Sequence, residues 1–426
     1  MKSTCFLKSL ATLSAVLLFS MPIAVSAVTL VNGSNQTGTI VTNTTDSYTF
    51  TANMGDNINL RVGTAGFDGY LQLFGPDGTL LESGTGGGTT DDYINNYTTT
   101  NSGTFTVHVS SWYANGAGTY ILHLAQIPEA FIVPAGDEGG LLTNGADATG
   151  AITLGDLDIW SFAANKGDNI NLRVGTTNFD GWLQLFGPDG KLLASGTGGG
   201  TTDDYINNYT TTNSGTFTVL VSSWYNVGSG TYALHLAQVP EAFIVPADDD
   251  GGAMTGSRNY TGTITLGDLD IWAFTACTGD SINLQLNTTN FDGWLQLFGS
   301  NGALLKTTGG STASSLAYTA TNCGTFTVLI SSWYQAGTGT YGLNVNGLID
   351  DLRLCFPVIS STNLTLNGVG GTNNVGFKLY STTNIAMPWP LWTPVLTNQF
   401  DQFGVFKYTN AYNPDLLQQY FRLVEQ

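Results

Sequence analysis

Basic residues are scarce in this chain: 12 Lys and Arg stand against 31 Asp and Glu in 426 residues, a net charge of −19. A surface that neutralises phosphates or anionic headgroups needs a basic patch, so the composition argues against nucleic acid and an anionic membrane surface as partners. Histidine is rarer still, with His108, His123 and His235 alone. No His-Glu-x-x-His, Gly-x-Ser-x-Gly or Cys/His arrangement occurs, which removes the common hydrolase constellations. Glu is also rare, so a glycosidase carboxylate pair would have to be built from Asp. No stretch after the N-terminal segment reaches the ~18 consecutive apolar residues of a membrane span. Helical periodicity is missing throughout. Catalysis therefore lacks its usual ingredients, and no catalytic residue is expected.

The N-terminal segment, residues 1–27, reads as an export signal. Lys2 and Lys8 form its charged start, Leu10 to Ile23 is apolar, and Val25-Ser26-Ala27 is a small-residue cleavage site. The expected location is extracellular or on the cell surface. Cys5 precedes the apolar run, the wrong place for a lipidated cysteine. Cys277, Cys323 and Cys355 remain, and an oxidising compartment favours pairing. Cys277 and Cys323 each sit at a turn before a strand. Their pairing is the expectation, closing a loop of about 46 residues and contributing roughly 3–4 kcal/mol. Cys355 is then left over, with its pairing to either of the others open.

What the chain has in abundance is glycine, 54 residues, and repetition. Phe67-Asp68-Gly69-Tyr70-Leu71-Gln72-Leu73-Phe74-Gly75 returns from Phe179 to Gly187 and again from Phe291 to Gly299, each time 112 residues on. That period is the size of a whole domain. The first two copies are nearly identical, and the third has diverged. In the second copy Ile170, Leu172 and Val174 alternate with Asn169, Asn171 and Arg173. This is the period-2 pattern of a half-buried strand. Gly187-Pro188-Asp189-Gly190 has the residues of a hairpin turn. About eight short strands per copy point to an antiparallel β-sandwich. Between copies, Ile127-Pro128-Glu129-Ala130-Phe131-Ile132-Val133-Pro134 matches Val239 to Pro246. The flanking prolines suggest a stiff connector, with the acidic glycine runs Gly136 to Gly140 and Asp248 to Gly252 as flexible joints.

Asp158-Ile159-Trp160-Ser161-Phe162, Gly167-Asp168-Asn169-Ile170, Phe179-Asp180 to Gly190, Ser214 to Val219 and Gly230-Thr231-Tyr232 follow one another in an order that resembles the bacterial pre-peptidase C-terminal (PPC) domain. The resemblance covers all three copies, from Val28 to Leu348. It implies small jelly-roll-like sandwiches without catalytic activity, some of which bind collagen or polysaccharide. No peptidase domain precedes the repeats, which departs from the family's usual context. The last block carries Leu379 to Asn384, Trp392 to Val395, a turn at Asp401 to Gly404 and a strand over Val405 to Tyr408. It resembles a short terminal β-module of exported planctomycete- and verrucomicrobia-type proteins. By its own strands it is a small Ig-like or fibronectin-like unit, either a terminal cap or a surface-retention element.

The expected fold is thus all-β: three tandem jelly-roll-like antiparallel β-sandwiches over 28–126, 141–238 and 253–348, linkers at 127–140 and 239–252, and an Ig/fibronectin-like C-terminal module over 349–426. Two kinds of binding residue stand out. Asp156, Asp158, Asp268 and Asp270 offer hard oxygen ligands for calcium, or cap turns through backbone N–H groups. Asp56, Asp168 and Asp280 recur at turns in all three copies, as do Asp68, Asp180 and Asp292. The pairs Asp91-Asp92 and Asp203-Asp204 read as a solvated loop. The aromatic candidates are Trp112, Tyr113, Trp224, Tyr225, Trp333 and Tyr334, with Tyr70, Trp182 and Trp294. Each serves as a platform for a sugar ring or as a seal on the sandwich. The expected partner is an extracellular polysaccharide or protein polymer. A structural spacer without ligand is the alternative, and a secreted hydrolase the remote one.

Overall fold

Ile58, Leu60 and Val62 point into a core while Asn57, Asn59 and Arg61 point away from it, and the segment containing them is a strand. The structure, a computed structural model, describes residues 27–84, 90–196, 202–224, 228–334, 336–349, 351–360 and 362–426. The expected export segment, Ala27 apart, lies outside the described residues, as does Tyr225. The first unit has nine strands: β1 (Val28–Thr29), β2 (Asn35–Ile40), β3 (Thr45–Ala52), β4 (Asn57–Ala65), β5 (Gly69–Phe74), β6 (Leu80–Ser83), β7 (Asp91–Thr98), β8 (Gly103–Ser111) and β9 (Gly118–Ile127). They form two sheets, in the orders β1-β3-β8-β5-β6 and β2-β9-β4-β7. Phe50, Leu60, Leu71, Val107 and Leu122 fill the space between them. The second and third units repeat this order strand for strand. All three are β-sandwiches, and no α-helix occurs among the described residues. No helix there is long and apolar enough to cross a membrane.

In the second and third units the sequence reading missed, among others, the first strand. It comes from the acidic glycine run. Gly139–Leu141 pairs parallel with Asp158–Ala164, and Gly251–Ala253 with Asp270–Ala276. The expected flexible joints are therefore partly sheet edge. The connector before each is held by hydrogen bonds. Ile132 N–H donates to the Asn32 carbonyl at 3.0 Å, and Asn32 Nδ2 donates to the Gln126 carbonyl at 2.8 Å. Asn53 Nδ2 donates to Glu129 at 2.8 Å. The connector is thus tied back to the unit it leaves.

The units dock on one another. Ala125 and Ile127 of the first unit bury against Leu157, Ile159, Phe186 and Leu220 of the second, with Phe131 of the connector beside them. Ala237, Val239, Leu269, Ile271, Phe298, Leu329 and Phe243 do the same one unit on. Burial of each large side chain contributes about 1.5–3 kcal/mol. The consequence shows in the strands. β4 and its counterpart Asn169–Thr177 are buried on both faces, except at their last residue. The third unit's Ser281–Thr288 instead alternates exposed and buried.

The C-terminal module holds two small sheets around Leu366, Phe377, Leu379, Phe400 and Phe406. Its turn at Asp401 to Gly404 closes through Gly404 N–H to the Asp401 carbonyl at 3.1 Å, and the next strand runs Phe406–Ala411. The module lies against the third unit, with Arg353 ion-paired to Asp280 and Phe403 5.6 Å from Phe243.

This docking corrects the expected disulfide. Cys277 bonds to Cys355, with the Cα atoms 5.4 Å apart, and Cys323 keeps a free thiol. Pairing inside the repeat was the expectation. The folded-back module brings Cys355 to Cys277 instead, and all three sulfurs lie within 4.8 Å of one another. Cys355→Ser should cost the module about 4 kcal/mol, since the bridge closes 78 residues of chain. Calorimetry should then show the module melting before the sandwiches, and non-reducing peptide mapping should find Cys277 joined to Cys323. An unchanged melting profile would contradict the bridge's role as a staple.

Candidate functional site

Asp158 opens the strand Asp158–Ala164, which lies between Gly139–Leu141 and Gly215–Ser223 in the second sandwich, and it has no solvent exposure. The Tyr232 hydroxyl donates to its Oδ2 at 2.5 Å, and Trp160 Nε1 donates to that hydroxyl at 2.9 Å. Asp270, Tyr341 and Trp272 repeat the arrangement at 2.5 and 2.8 Å. The other carboxylate oxygen, Oδ1, has no hydrogen-bond partner in Asp158, Asp268 or Asp270. Around it gather more carboxylates. Ligand atoms of Asp137, Glu138 and Asp158 lie within 4.8 Å of one another, as do those of Asp249, Asp268 and Asp270. Burial, then the charge of Asp156, pushes the Asp158 carboxyl up to about 9. Burial and Asp268 push Asp270 to about 10. Asp137 and Asp249 in the linkers rise to about 6 for the same reasons. Buried carboxyls that face each other with unused oxygens form an environment in which a bound cation would favour ionisation. The sequence reading had the strand-edge members of both clusters, but not Asp137, Glu138 and Asp249, which sit on the linkers.

Asp156 and Asp268 also cap turns. Thr153 N–H donates to Asp156 at 3.0 Å and Thr265 N–H to Asp268 at 2.9 Å. Their second oxygens face the preceding unit. Asp156 lies 3.3 Å from His123 Nδ1, and Asp268 3.7 Å from His235 Nδ1, which also meets Asp147 at 3.0 Å. The recurrent Asp56, Asp168 and Asp280 are turn caps too, accepting backbone N–H bonds at 2.9, 2.8 and 2.7 Å.

The pairs Asp91-Asp92 and Asp203-Asp204 are not a solvated loop. They begin strands and are buried. Arg61 binds Asp91 through both Nε and Nη2, the latter at 2.6 Å, and Arg173 binds Asp203 likewise. The other Nη of each arginine crosses to the next unit: Arg61 donates to the Ser223 carbonyl at 2.7 Å and Arg173 to the Ser332 carbonyl at 2.8 Å. Asp92 and Asp204 accept N–H bonds from Leu71 and Leu183 at 2.8 and 3.1 Å. Two arginines in the strand pattern explain the burial. A carboxylate beside an alternating strand that carries Arg is a pairing signal, and the spacing of 30 residues hid it.

The aromatic candidates form three matching edges. Tyr70 meets Trp112 edge-on at 4.9 Å, Trp182 meets Trp224 at 5.1 Å, and Trp294 meets Trp333 at 5.1 Å. The first of each pair is half-buried. The second is exposed, by 46 % in Trp112 and 37 % in both Trp224 and Trp333. Tyr113 and Tyr334 beside them are more exposed still. Tyr205 of the second unit approaches Trp294 of the third at 6.1 Å, so at this junction the edge borrows a ring from its neighbour.

Residues 156–223, at the heart of the second unit, match the family model of the bacterial pre-peptidase C-terminal domain. The second unit carries a PPC domain. The PPC domain is a non-catalytic domain family, although it occurs in peptidases. The first and third units repeat its strand order and its Phe-Asp-Gly motif. No curated protein matches the chain. Among solved structures, the PPC domain of a collagenase from Bacillus anthracis is 21 % identical, covering 24 % of this chain and 95 % of that one, with a TM-score of 0.21. Tripeptidyl peptidase 2 is 9 % identical, and the match covers 91 % of this chain and 36 % of that one, at 0.19. The assignment rests on the family model and not on these likenesses. Within the sandwiches the histidines do not line a cleft. His108 packs against Phe74 at a tilt, 4.6 Å between ring centres, and His123 and His235 are buried at junctions. Comparison of the copies points the same way, since the third unit has Gln285 and Asn344 where the second has Arg173 and His235.

Proposed function

We propose that the chain is an exported, non-catalytic binding array whose exposed tryptophans contact an extracellular polysaccharide or protein polymer. The observation that carries this reading is the threefold recurrence of an exposed Trp braced edge-on by a half-buried aromatic ring. Such a ring offers an apolar face and a polar N–H edge, which suits a pyranose or a proline-rich backbone. Each contact alone is weak. Three on one docked array act together, and the docked units need no further ordering when a polymer binds. Export is supported by the segment at residues 1–27 and by the occurrence of PPC domains in secreted bacterial proteins.

The carboxylate clusters add a cation to this reading. Asp137, Glu138 and Asp158, helped by Asp156, would hold one calcium ion, and Asp249, Asp268 and Asp270 a second. The fit rests on the Oδ1 atoms of Asp158 and Asp270, which are buried and accept no hydrogen bond from a protein group. A bound ion would neutralise them and fix each linker to the sandwich it enters. The first unit keeps only Asp46 of this set, whose carboxylate is bonded to Tyr120 at 2.6 Å.

The test is retention of the purified chain on insoluble polymers, with cellulose, chitin, peptidoglycan and fibrillar collagen as probes. Trp112→Ala, Trp224→Ala and Trp333→Ala should each weaken retention several-fold, and the triple variant should lose it by 100-fold or more, with unchanged melting. Retention by a folded triple variant would overturn the aromatic reading. Failure of the wild type to bind any probe would favour a structural spacer, for which the buried junctions are the supporting observation.

A further inference from the structure

The first two units are nearly identical in sequence, so the places where they differ are informative, and several of those places lie on one face. The face by which a unit receives its predecessor carries Gly155, Asp156, Leu157, Ile159 and Leu220 in the second unit. It carries Gly267, Asp268, Leu269, Ile271 and Leu329 in the third. The first unit has Asn43, Thr44, Thr45, Ser47 and His108 at the same positions. Strand register confirms the match: Ser47 opposes His108, Ile159 opposes Leu220, and Ile271 opposes Leu329. Asn43, Thr44, Thr45 and Ser47 are exposed, whereas their counterparts Gly155, Asp156, Leu157 and Ile159 are buried.

The opposite face shows the converse. The first unit presents Arg61, Gly63, His123 and Ala125 to the second, and the second presents Arg173, Gly175, His235 and Ala237 to the third. The third unit has Gln285, Asn287, Asn344 and Asn346 there. Register again makes these equivalent, since Arg61 opposes His123, Arg173 opposes His235 and Gln285 opposes Asn344. Asp91 and Asp203 become Ala313, which opposes Asn287 as Asp203 opposes Gly175. The glycines are required by contact. A Cβ on Gly63 would lie 1.9 Å from the Leu154 carbonyl oxygen, and one on Gly175 2.0 Å from that of Leu266. Asn287 is exposed, and its side chain is free to stand there.

We infer that these positions form a neighbour-selecting code: a Gly/Asp/Leu/Ile/Leu face accepts an Arg/Gly/His/Ala face from another copy of the same kind of unit. The first and third units are caps with polar outer faces, and the second is the one unit of the three that is competent at both ends. The capping logic is that of repeat arrays, in which an uncovered docking face would drive end-to-end association. The array is consequently closed at three, and a longer one arises by adding units of the second type.

The test uses two full-length variants. One gives the first unit an accepting face, through Asn43→Gly, Thr44→Asp, Thr45→Leu, Ser47→Ile and His108→Leu. The other gives the third unit a donating face, through Gln285→Arg, Asn287→Gly, Ala313→Asp, Asn344→His and Asn346→Ala. Sedimentation should show the wild type as a monomer and the mixed variants as a one-to-one end-to-end complex. A mixture that stays monomeric while both variants melt like the wild type overturns the code, as does end-to-end association of the wild type. If either variant folds poorly, a chain with a second copy of residues 139–250 inserted after Asp250 decides. Its maximum dimension in solution scattering should grow by one unit spacing as a rigid body. An inserted copy that moves independently of its neighbours overturns the inference.

Discussion

Arg173→Gln should loosen the third unit from the second at a cost of roughly 3–5 kcal/mol, the range for breaking one side of a buried ion pair. Arg173 and Asp203 are both about 1 % exposed and 2.6 Å apart. Without the guanidinium, Asp203 stays buried with the Ala336 N–H bond at 3.1 Å to hold its charge. The Ser332 carbonyl loses its Arg173 donor as well. Calorimetry should resolve a transition for the freed part of the chain below the wild-type melting temperature. Adding Asp203→Ala reproduces the Gln285/Ala313 combination that the third unit uses itself, and it should recover the part of the loss due to the stranded carboxylate. The junction should stay weaker than wild type, because the bond to Ser332 is still missing. A single Arg173→Gln variant with wild-type melting would show that the pair does not hold the junction.

Calcium should raise the melting temperature, and its effect should grow with pH. Without the ion, the folded chain keeps Asp158 and Asp270 protonated up to about 9 and about 10, against 3.8 for the ordinary carboxyl. Between those values the folded state holds protons that the unfolded state has released. Stability therefore falls as pH rises from about 4 towards 9, by up to about 1.4 kcal/mol per pH unit for each such carboxyl. A cation reverses the sign. It binds the deprotonated carboxylates, so its stabilisation is present at high pH and is lost as protons compete at low pH. At one hundred times its dissociation constant the ion contributes about 2.7 kcal/mol per site, or roughly 10 °C for a domain of this size. Melting in chelator and in millimolar calcium at pH 5 and pH 8 checks this. Equal melting temperatures under all four conditions would contradict both the cation and the strained carboxylates.

The sandwich architecture was legible because alternation such as Ile170, Leu172, Val174 is a local signal, and turn residues punctuate it. The aromatic edges were legible for the same reason, as Trp224 directly follows a strand. The junctions were not. Arg61 and Asp91 stand 30 residues apart, and Arg61 reaches a carbonyl 162 residues away. Such contacts leave no periodic trace in a single copy. They do leave one between copies: Thr45, Ser47 and His108 against Leu157, Ile159 and Leu220 mark a face exposed in one unit and covered in the next. The acid pairs were misread because glycine-rich sequence precedes them, although Asp91 and Asp203 already belong to strands. The disulfide was misread because Cys355 reaches Cys277 through the docking of a separate module, which no repeat comparison contains.

All of these points depend on the three sandwiches being held in one fixed arrangement. Small-angle scattering of the full chain, alone and with Arg173→Gln, measures this directly. A docked array predicts a wild-type profile that one arrangement of the units reproduces, and a variant whose profile requires a spread of orientations between the second and third units. A wild-type profile that itself requires such a spread would contradict the account.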